Sequence, residues 1–399
     1  MIKNVQKLSE IAEKPARHIV GLMSGTSFDG LDIALCKFEG DGFNTKTTLL
    51  HFKTVAYEQH FKQELKSVFS KEQVNLLKVT LLNAYIGQYF AELILGCLQE
   101  WNFPAPDVDL IASHGQTIFH APFWQHKLPG YSNATLQIGD GDHIAVKTGI
   151  ITLSDFRQKH IAAGGEGAPL AIYGDYLILS SSAENRIMLN IGGIANFTFL
   201  PSDRDPDRVF STDVGPGNTL MDQFVQLNYP GRYFDENAAL ASSGTVNGLL
   251  LKELLAHPFF DADFPKTTGP ELFNLSYLNA AIERSGAAGI SAGDVMATLS
   301  AFSAEGIVSA LKKAIKDDGS YVVYLSGGGI HNPLLIKNIS SQLPDCKFKN
   351  TSEIGIDPDA KEAVLFGLLA NECVAGKGVD FGDRVSLPSV SMGKISFPD

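Results

Sequence analysis

The sequence lacks the features of disulfide-stapled, membrane-spanning and nucleic-acid-binding proteins. Its 399 residues include only four cysteines, with no Cys-x-x-Cys pair and no signal-peptide pattern, which predicts a reduced, cytoplasmic protein without a cysteine metal site. Polar residues interrupt the apolar stretches well before about 18 residues, so no membrane span is expected. A net charge of −12, spread along the chain, argues against nucleic acid as a partner, because such sites need a basic patch.

Two common nucleotide-binding fingerprints are also missing. Neither a Walker A pattern nor G-x-G-x-x-G occurs, so neither a P-loop nor a Rossmann site is predicted. The acidic balance does not exclude phosphate ligands, because backbone N–H groups bind them without any net basicity. With 44% apolar residues and a length sufficient for about two or three domains, the chain is expected to bury two cores.

The order of predicted elements indicates a mixed α/β protein. Short β-type segments open the chain, a long helix follows, and residues 107–117 read as a buried strand with a polar tip. The pattern of strands and glycine-rich turns restarts after the polar segment 180–186. We therefore expect an N-terminal lobe at 1–183 and a C-terminal lobe at 184–399, whose last segment is able to pack back on the first lobe. The apolar face of the long helix comprises Leu82, Ile86, Phe90, Leu93 and Cys97.

Three glycine-rich turns follow predicted strands. They are Gly25-Thr26-Ser27, Gly192-Gly193 and Gly327-Gly328-Gly329. Glycine permits close approach of the backbone to a ligand, and consecutive N–H groups form a concave anion site. Any one of these turns, taken singly, reads at least as well as a tight bend. Their recurrence at strand ends in both halves favours phosphate binding.

Carboxylates lie beside several of these strand ends. Asp29 and Asp32 flank the first turn, and Asp155 ends the segment IITLSD. A carboxylate at a strand tip suits a general base or a ligand for Mg²⁺. Structural explanations also exist, because Asp32 is placed like a turn residue and Asp155 is placed to form an ion pair with Arg157.

Asp213 is the carboxylate that is hardest to explain by structure alone. It ends the segment RVFSTD, and the Gly-Pro-Gly-Asn that follows keeps bulky side chains away. Glu362 lies on a predicted helix, where a surface glutamate is an equally good reading. Either carboxylate is a candidate for proton transfer.

Two polar segments are candidates for binding a small polar substrate. His114 and Gln116 lie in SHGQT at the tip of the 107–117 strand, and Glu166 lies in the low-side-chain loop AAGGEGAPLA. These side chains are able to bind sugar hydroxyls. A histidine that ends a strand is, however, more often a satisfied hydrogen-bonding residue than a catalytic one, and Glu166 is equally able to face solvent.

Six segments together resemble the anhydro-N-acetylmuramic acid kinases in order and spacing, over nearly the whole chain from about Gly21 to Gly367. That family is a branch of the sugar kinase, Hsp70 and actin superfold. The six segments are GLMSGTSFDGLDIAL, ASHGQTIFH, DFRQKHIAAGGEGAPL, LNIGGIANFTFL, STDVGPGNTLMD and YLSGGGIHNPLL.

The resemblance implies a fold and a reaction. The fold would be α/β, with two actin-like (ribonuclease H-like) lobes of mixed sheets flanked by helices, and ATP and substrate in the interlobe cleft. In the family reaction, water attacks the anomeric carbon of 1,6-anhydro-N-acetylmuramic acid, and the freed O6 takes the γ-phosphoryl group of ATP. ATP, Mg²⁺ and a homodimer are therefore expected.

The resemblance also implies roles for individual residues. Asp213 would be the base, Glu362 a substrate-side carboxylate, and Asp29 and Asp213 would reach the metal through water. Substrate-binding residues would be His114, Gln116, Glu166, Gly167 and Asn218. Phosphate and adenosine contacts would come from Gly25, Thr26, Ser27, Phe28, Asp29, Gly30, Leu31, Asp32, Gly192, Gly193, Gly327, Gly328 and Gly329.

The sequence departs from the family pattern at a few positions. Phe28 stands for the usual Leu, Glu166 for the usual Gln and Val214 for the usual Thr. The added charge of Glu166 would weaken binding of an anionic substrate unless it is paired. Met23 stands where the superfold usually has an Asp, so the metal-organising carboxylate must come from Asp29 or another of the named aspartates.

Alternatives of other kinds stay open at the level of sequence. They are another sugar or amino-sugar kinase of the same superfold, a nucleotide-gated binding protein, and a glycosidase that uses two carboxylates without ATP. The three glycine-rich turns argue against the glycosidase.

Overall fold

A computed structural model describes residues 3–316, 319–355 and 357–399. The chain divides into two compact units. Unit 1 comprises Met1–Ile178 and Asp359–Asp399, and unit 2 comprises Leu179–Pro358. The chain therefore leaves unit 1 once and returns to it for its final segment.

Both units combine strands with helices. In chain order, strands β1 to β12 span Ala16–Ser24, Gly30–Glu39, Lys46–Ala56, Leu110–Ala121, Ala134–Ile138, Thr152–Ser154, Asn185–Ile191, Ile194–Leu200, Phe210–Pro216, Tyr321–Ser326, Lys347–Asn350 and Lys394–Ser396. Helices α1 to α14 span Lys3–Glu13, Gln59–Val68, Leu76–Glu100, Phe123–His126, Gly141–Thr148, Phe156–Ala162, Ala171–Gly174, Thr219–Asn228, Ala239–Ser243, Gly248–Leu255, Leu275–Ser285, Ala292–Ala314, Pro333–Ser341 and Lys361–Val374.

The sheet of unit 1 has the order β12-β6-β4-β1-β2-β3, and β5 pairs with β4. Strand β1 is antiparallel to β2 and parallel to β4, and β4 is parallel to β6. The carboxyl ends of β1, β4 and β6 therefore meet at one edge of the sheet, which is where ligands bind in open α/β sheets. Helix α14 packs against β1, β2 and β4.

Alternate residues of β1 face the two sides of this sheet, as the strand period requires. Val20 and Leu22 pack into a core with Ile86 and Phe90 of α3. Gly21 faces the other side, where a Cβ atom would overlap the carbonyl oxygen of Ala363 in α14. Glycine at this position therefore lets the first turn of α14 lie directly on the strand.

The sheet of unit 2 has the order β11-β10-β7-β8-β9. Strands β7, β10 and β11 run parallel, whereas β8 and β9 are antiparallel additions. The core contains Leu189, Phe197 and Val323 of the strands together with Leu299 and Phe302 of α12. The predicted mixed α/β class is thus confirmed, since both sheets are mixed and carry helices.

The sequence also predicted several element junctions correctly. The helix expected around Ile86 is α3, the Gly192-Gly193 turn joins β7 to β8, and β10 runs through the Gly327–Gly329 loop toward α13. The two units meet at 178/179, near the expected division at 183/184, and α14 and β12 of the final segment belong to unit 1. The apolar face of α14 is buried in unit 1 against β1, β2 and β4.

Two helices are long and apolar enough to cross a membrane by length and composition, namely α3 and α12. Core helices of soluble proteins pass the same test. In this structure 44% of the most apolar 18-residue stretch of α3 and 78% of that of α12 are buried. The two helices are therefore weak evidence for a membrane span, and the expectation of none stays a prediction.

Replacing Gly21 by alanine should destabilise unit 1. The added Cβ meets backbone of α14, which cannot rotate away as a side chain would, so the free energy of unfolding should fall by about 1–3 kcal/mol. Urea unfolding followed by tryptophan fluorescence measures this, because both tryptophans, Trp101 and Trp124, lie in unit 1.

The matched control is Gly25→Ala. A Cβ atom there meets only the Ser27 hydroxyl, at 3.8 Å, so its unfolding midpoint should stay near that of the wild type. Equal midpoints for the two variants would contradict the close approach of α14 to β1.

Candidate active site

The turn between β1 and β2 presents small polar groups to solvent. Thr26, Ser27 and Asp29 are exposed and Gly25 is half-buried. Open space beside Gly25, where a Cβ atom would lie 3.8 Å from its nearest neighbour, leaves room for a ligand against the backbone. Hydroxyl and backbone N–H donors of this kind fit phosphate oxygens.

Three residues of the same turn face inward instead. Phe28 has a φ of 59° and is buried, with its ring edge-on to Phe69 at 5.0 Å. Leu31 is fully buried in the core of unit 1. A Cβ atom at Gly30 would lie 2.5 Å from the carbonyl oxygen of Val55. These residues hold the turn in place, and any ligand contact at their positions is a backbone contact.

Hydrogen bonds with Gln116 and Tyr57 fix both ends of the turn between β1 and β2. Ser24 Oγ donates to Gln116 Oε1 at 2.5 Å and bonds to the Tyr57 hydroxyl at 2.6 Å. Gln116 Nε2 donates to the carbonyl of Gly25, and the Tyr57 N–H donates to the carbonyl of Asp29. Gln116 is fully buried, so in this structure it supports the turn, and its contact with substrate stays a prediction.

Asp32 lies on β2 just beyond the turn. Its Oδ1 accepts a hydrogen bond from Thr54 at 2.6 Å. Burial raises the pKa of its carboxyl, with smaller contributions from the charges of Asp359 and Asp29. Among the described residues, no three His, Cys, Asp or Glu side chains gather to hold a metal ion.

The second glycine-rich turn belongs to unit 2 and anchors α8. The carbonyl of Gly192 accepts from the Asn218 N–H, and the carbonyl of Gly193 accepts from the N–H groups of Gly217 and Thr219. A Cβ atom at Gly217 would overlap Gly192. The backbone donors at the start of α8 are therefore used within the protein.

The third glycine-rich turn lies beside the second. Cβ atoms at Gly327 and Gly329 would run into side chains at the end of β7. Gly328 is exposed, and its Cβ position lies 3.9 Å from Nδ2 of Asn218. Gly193 and Gly328 are thus the exposed glycines of the second and third turns, and Asn218 is half-buried beside Gly328.

Asp213 is held on β9 by the 266–268 segment. Its Oδ2 accepts from the Thr268 N–H at 2.9 Å, and its own N–H donates to the carbonyl of Lys266 at 2.9 Å. Burial raises the pKa of Asp213 to about 6, the charge of Glu271 adds to the shift, and the Thr268 N–H opposes it. A carboxylate whose pKa is close to neutral is well suited to accept a proton.

Glu362 lies in the first turn of α14 in unit 1. Its side chain is accessible to solvent, yet crowding by protein atoms raises the pKa of its carboxyl, against the opposing charges of Arg157 and Lys361. The negative charge of Asp32 adds to the increase. Lys361 itself forms an ion pair with Asp175 at 2.9 Å.

Arg157 is a central residue of unit 1 that sequence reasoning missed. Its Nε donates to His114 Nε2 at 2.9 Å, and its Nη1 donates to the carbonyl of Gly167 at 2.7 Å. Burial lowers the pKa of Arg157 to about 10, and the charge of Glu362 works against this. The expected ion pair of Arg157 with Asp155 is wrong, because the Asp155 carboxylate pairs with Lys394 at 2.9 Å.

His114 is buried, and both its ring nitrogens are used. Nδ1 bonds to the carbonyl of Gly115 at 2.9 Å, and the ring packs on Phe366 of α14 at 4.8 Å. Burial and the neighbouring Arg157 charge lower the pKa of His114 well below its usual value. His114 therefore stays neutral and orients Arg157, while its contact with substrate stays a prediction.

Glu166 accepts a hydrogen bond within the protein. The indole N–H of Trp124 donates to its Oε1 at 2.9 Å, and His120 Nε2 lies 3.9 Å from the same oxygen. Burial lowers the pKa of His120, so both partners are neutral at physiological pH and the negative charge of Glu166 is not cancelled.

A polar cavity of about 860 Å³ opens in unit 1 beside His114, a size typical of small-molecule sites. Its walls come from α3, β5, the start of α5, the end of β6 and β12. Gln137 in its wall is nearly buried, and its Oε1 has no hydrogen-bond partner within the described ranges. Polar lining residues include Thr80, Asn83, Gln137, Asp140, Ser154 and Gln158.

Comparisons with known proteins identify what the chain resembles. A family model described as anhydro-N-acetylmuramic acid kinase matches residues 17–380. An anhydro-N-acetylmuramic acid kinase of Pseudoalteromonas atlantica is 54% identical over 100% of both chains. One of Caldanaerobacter subterraneus subsp. tengcongensis is 38% identical, over 98% of this chain and 100% of the relative.

A solved structure of hexokinase from Schistosoma mansoni complexed with glucose aligns over 90% of this chain and 86% of its own, with a TM-score of 0.38 and 9% identity. That likeness is too weak to carry an argument.

The raised pKa of Asp213 implies a cost in stability above pH 6. The folded protein binds this proton more tightly than the unfolded chain does. The contribution of Asp213 to the free energy of unfolding is therefore fully present below about pH 4 and is lost as pH rises through about 6. Asp213→Asn removes the ionisation and should stabilise the protein at pH 7.5 by up to about 3 kcal/mol, because one pKa unit corresponds to about 1.4 kcal/mol. Urea unfolding followed by far-ultraviolet circular dichroism measures the difference across pH.

Asp263→Asn is the control, since Lys313 lowers the pKa of that exposed carboxyl. It should bring no gain above pH 6. A pH-independent difference between Asp213→Asn and the wild type would contradict the raised pKa of Asp213.

Proposed function

The chain belongs to the anhydro-N-acetylmuramic acid kinase family, and on that basis we propose which of its residues carry out the reaction. Its activity is the ATP-dependent phosphorylation of 1,6-anhydro-N-acetylmuramic acid in cell-wall recycling. The observation that carries our assignment is the Asp213 carboxyl, which lies on β9 and whose pKa is raised by burial to about 6.

Asp213 acts as the base for water. Its Oδ2 is held by the Thr268 N–H, which leaves Oδ1 for the proton of the attacking water. The water oxygen bonds to the anomeric carbon, the bond from that carbon to O6 breaks, and O6 attacks the γ-phosphorus of ATP. The products are N-acetylmuramic acid 6-phosphate and ADP, and the water proton is carried by Asp213 until it passes to solvent.

The phosphates of ATP bind to the turn between β1 and β2. Thr26 and Ser27 supply hydroxyl donors, and Gly25 lets the backbone approach. The adenosine side is assigned to Gly328, which is exposed beside Asn218 in unit 2. Asp29 would help to hold magnesium through water beside the phosphates, and the ion would neutralise phosphate charge.

Glu362 and Arg157 serve the sugar. Glu362 is a solvent-accessible carboxylate with a raised pKa, which suits hydrogen bonding to sugar hydroxyls. Arg157, oriented by His114, supplies a positive charge that opposes the negative charge of Glu362. The polar cavity beside His114 suits the hydroxyl and amide groups of an amino sugar.

A cytoplasmic location and a homodimer complete the proposal. The four cysteines are free thiols, which agrees with a reducing compartment. The homodimer is what the family resemblance implies, and light scattering of the purified protein tests it.

The protein should release ADP from ATP and Mg²⁺ when the anhydro sugar is added. Asp213→Asn should reduce kcat by ~100-fold or more, since general bases contribute about 10²–10⁴-fold, and should leave affinity for an ATP analogue unchanged by calorimetry. Asp222→Asn is the matched control, because Asp222 is another carboxyl of unit 2 with a pKa near 6. It should retain turnover. No sugar-dependent ADP from the wild type would overturn the activity, and full activity of Asp213→Asn would move the base elsewhere.

The dependence of kcat/KM on pH should show the same group. Asp213 accepts a proton only when it is ionised, so kcat/KM should rise with pH through about 6 and then level off. Initial rates between pH 4.5 and pH 8 measure the midpoint. A kcat/KM that is already level from pH 4.5 upward, as the ordinary pKa of an aspartate near about 3.9 would give, would contradict Asp213 as the base.

A further inference from the structure

His160 is a buried side chain for which the proposed reaction gives no direct role. It lies in α6, is fully buried, and its ring is edge-on to Tyr173 at 5.7 Å. Its Nδ1 accepts a hydrogen bond from the Gly167 N–H at 2.9 Å. The proton therefore sits on Nε2, which has no partner in the part of the chain that the structure describes.

An unpaired buried N–H is unfavourable, because the donor gives up its hydrogen bonds to water, so packing alone would be served better by an apolar side chain. Burial, together with the Arg157 charge, lowers the pKa of His160 to about 4, and the ring is neutral at physiological pH. The favourable contribution that remains is the acceptor at Nδ1.

The loop around Gly167 is built to reach that acceptor. Gly167 has a φ of 87°, in the left-handed region that favours glycine. A Cβ atom at Gly165 would overlap the His160 ring, and the Gly165 N–H donates to the His160 carbonyl at 3.0 Å. Two glycines of AAGGEGAPLA are thus explained by the fit of the loop over His160.

The same Gly167 residue links His160 to Arg157. Its N–H bonds to His160, and its carbonyl oxygen accepts from Arg157 Nη1 at 2.7 Å. Nε of Arg157 is bound by His114 at 2.9 Å. Two neutral histidines therefore fix the guanidinium, one directly and one through Gly167, and neither cancels its charge.

We propose that His160 is a positioning residue for the kinase reaction, which acts on the sugar side by holding Gly167 and, through its carbonyl, Arg157. The inference rests on the proposed function, in which Arg157 and Glu362 serve the sugar. Its effect belongs to sugar binding and turnover and is separate from nucleotide binding.

A pair of variants isolates the acceptor. His160→Asn places an amide oxygen near the Nδ1 position, whereas His160→Leu fills a similar volume without an acceptor, and both lose the ring contact with Tyr173. His160→Leu should lower kcat/KM for the sugar by ~10- to 100-fold, because small misplacements of positioning groups cost up to about 10²-fold. His160→Asn should recover most of it, and KM for ATP should stay unchanged in both.

Coupling to Arg157 is tested by a double-mutant cycle. If His160 acts through Arg157, adding His160→Leu to Arg157→Lys should cost much less than it does in the wild type. Additive losses would overturn the route through Arg157. Equal losses in His160→Leu and His160→Asn would overturn the role of the acceptor, as would full activity of His160→Leu.

Folding and function are separated within the same assay. Tryptophan fluorescence reports whether unit 1 is folded. If His160→Leu does not fold, His160→Gln takes its place in the comparison, because the Gln amide reaches the position of Nε2 and not that of Nδ1. A wild type without sugar-dependent ADP release rejects the proposed function itself. An active wild type with an unaffected acceptor-free variant rejects only the role of His160.

Discussion

The arrangement of unit 1 depends on the direct contact between the backbone of β1 at Gly21 and the first turn of α14. Because no side chain separates them, the helix lies close to the sheet, and its residue Glu362 is brought to the level of the turn that follows β1. Phe366, one turn further along α14, packs on His114, and His114 in turn holds Arg157. A missing side chain thus sets the position of several charged ones.

Sequence patterns were sufficient where the signal is local. A strand, a glycine-rich turn and a second element follow one another directly along the chain at 185–200 and at 321–341. Periodicity and turn chemistry describe such local units well. Asp213 was singled out from an expected place at a strand end, and that place is wrong, because β9 continues past it to Pro216. The likeness of six separated segments to one family supplied the reaction.

Contacts between distant segments were beyond those patterns. Arg157 and His114 are 43 positions apart in the sequence, and nothing in either neighbourhood indicates the pair. Glycines raise a related difficulty. At Gly30, Gly327 and Gly329, neighbouring atoms occupy the space that a side chain would need. Gly25 and Gly328 have open space beside them instead. The sequence shows glycine in both cases. Only the packed structure separates the two.

The discontinuity of unit 1 has a consequence for the order in which the protein is made. Unit 2 is one continuous segment, Leu179–Pro358, and all of it is translated before α14. The face of β1 around Gly21 must wait for that last helix, since domains fold as units when their chain is available. The apolar sheet face around Gly21 therefore stays uncovered by α14 while the whole of unit 2 is translated.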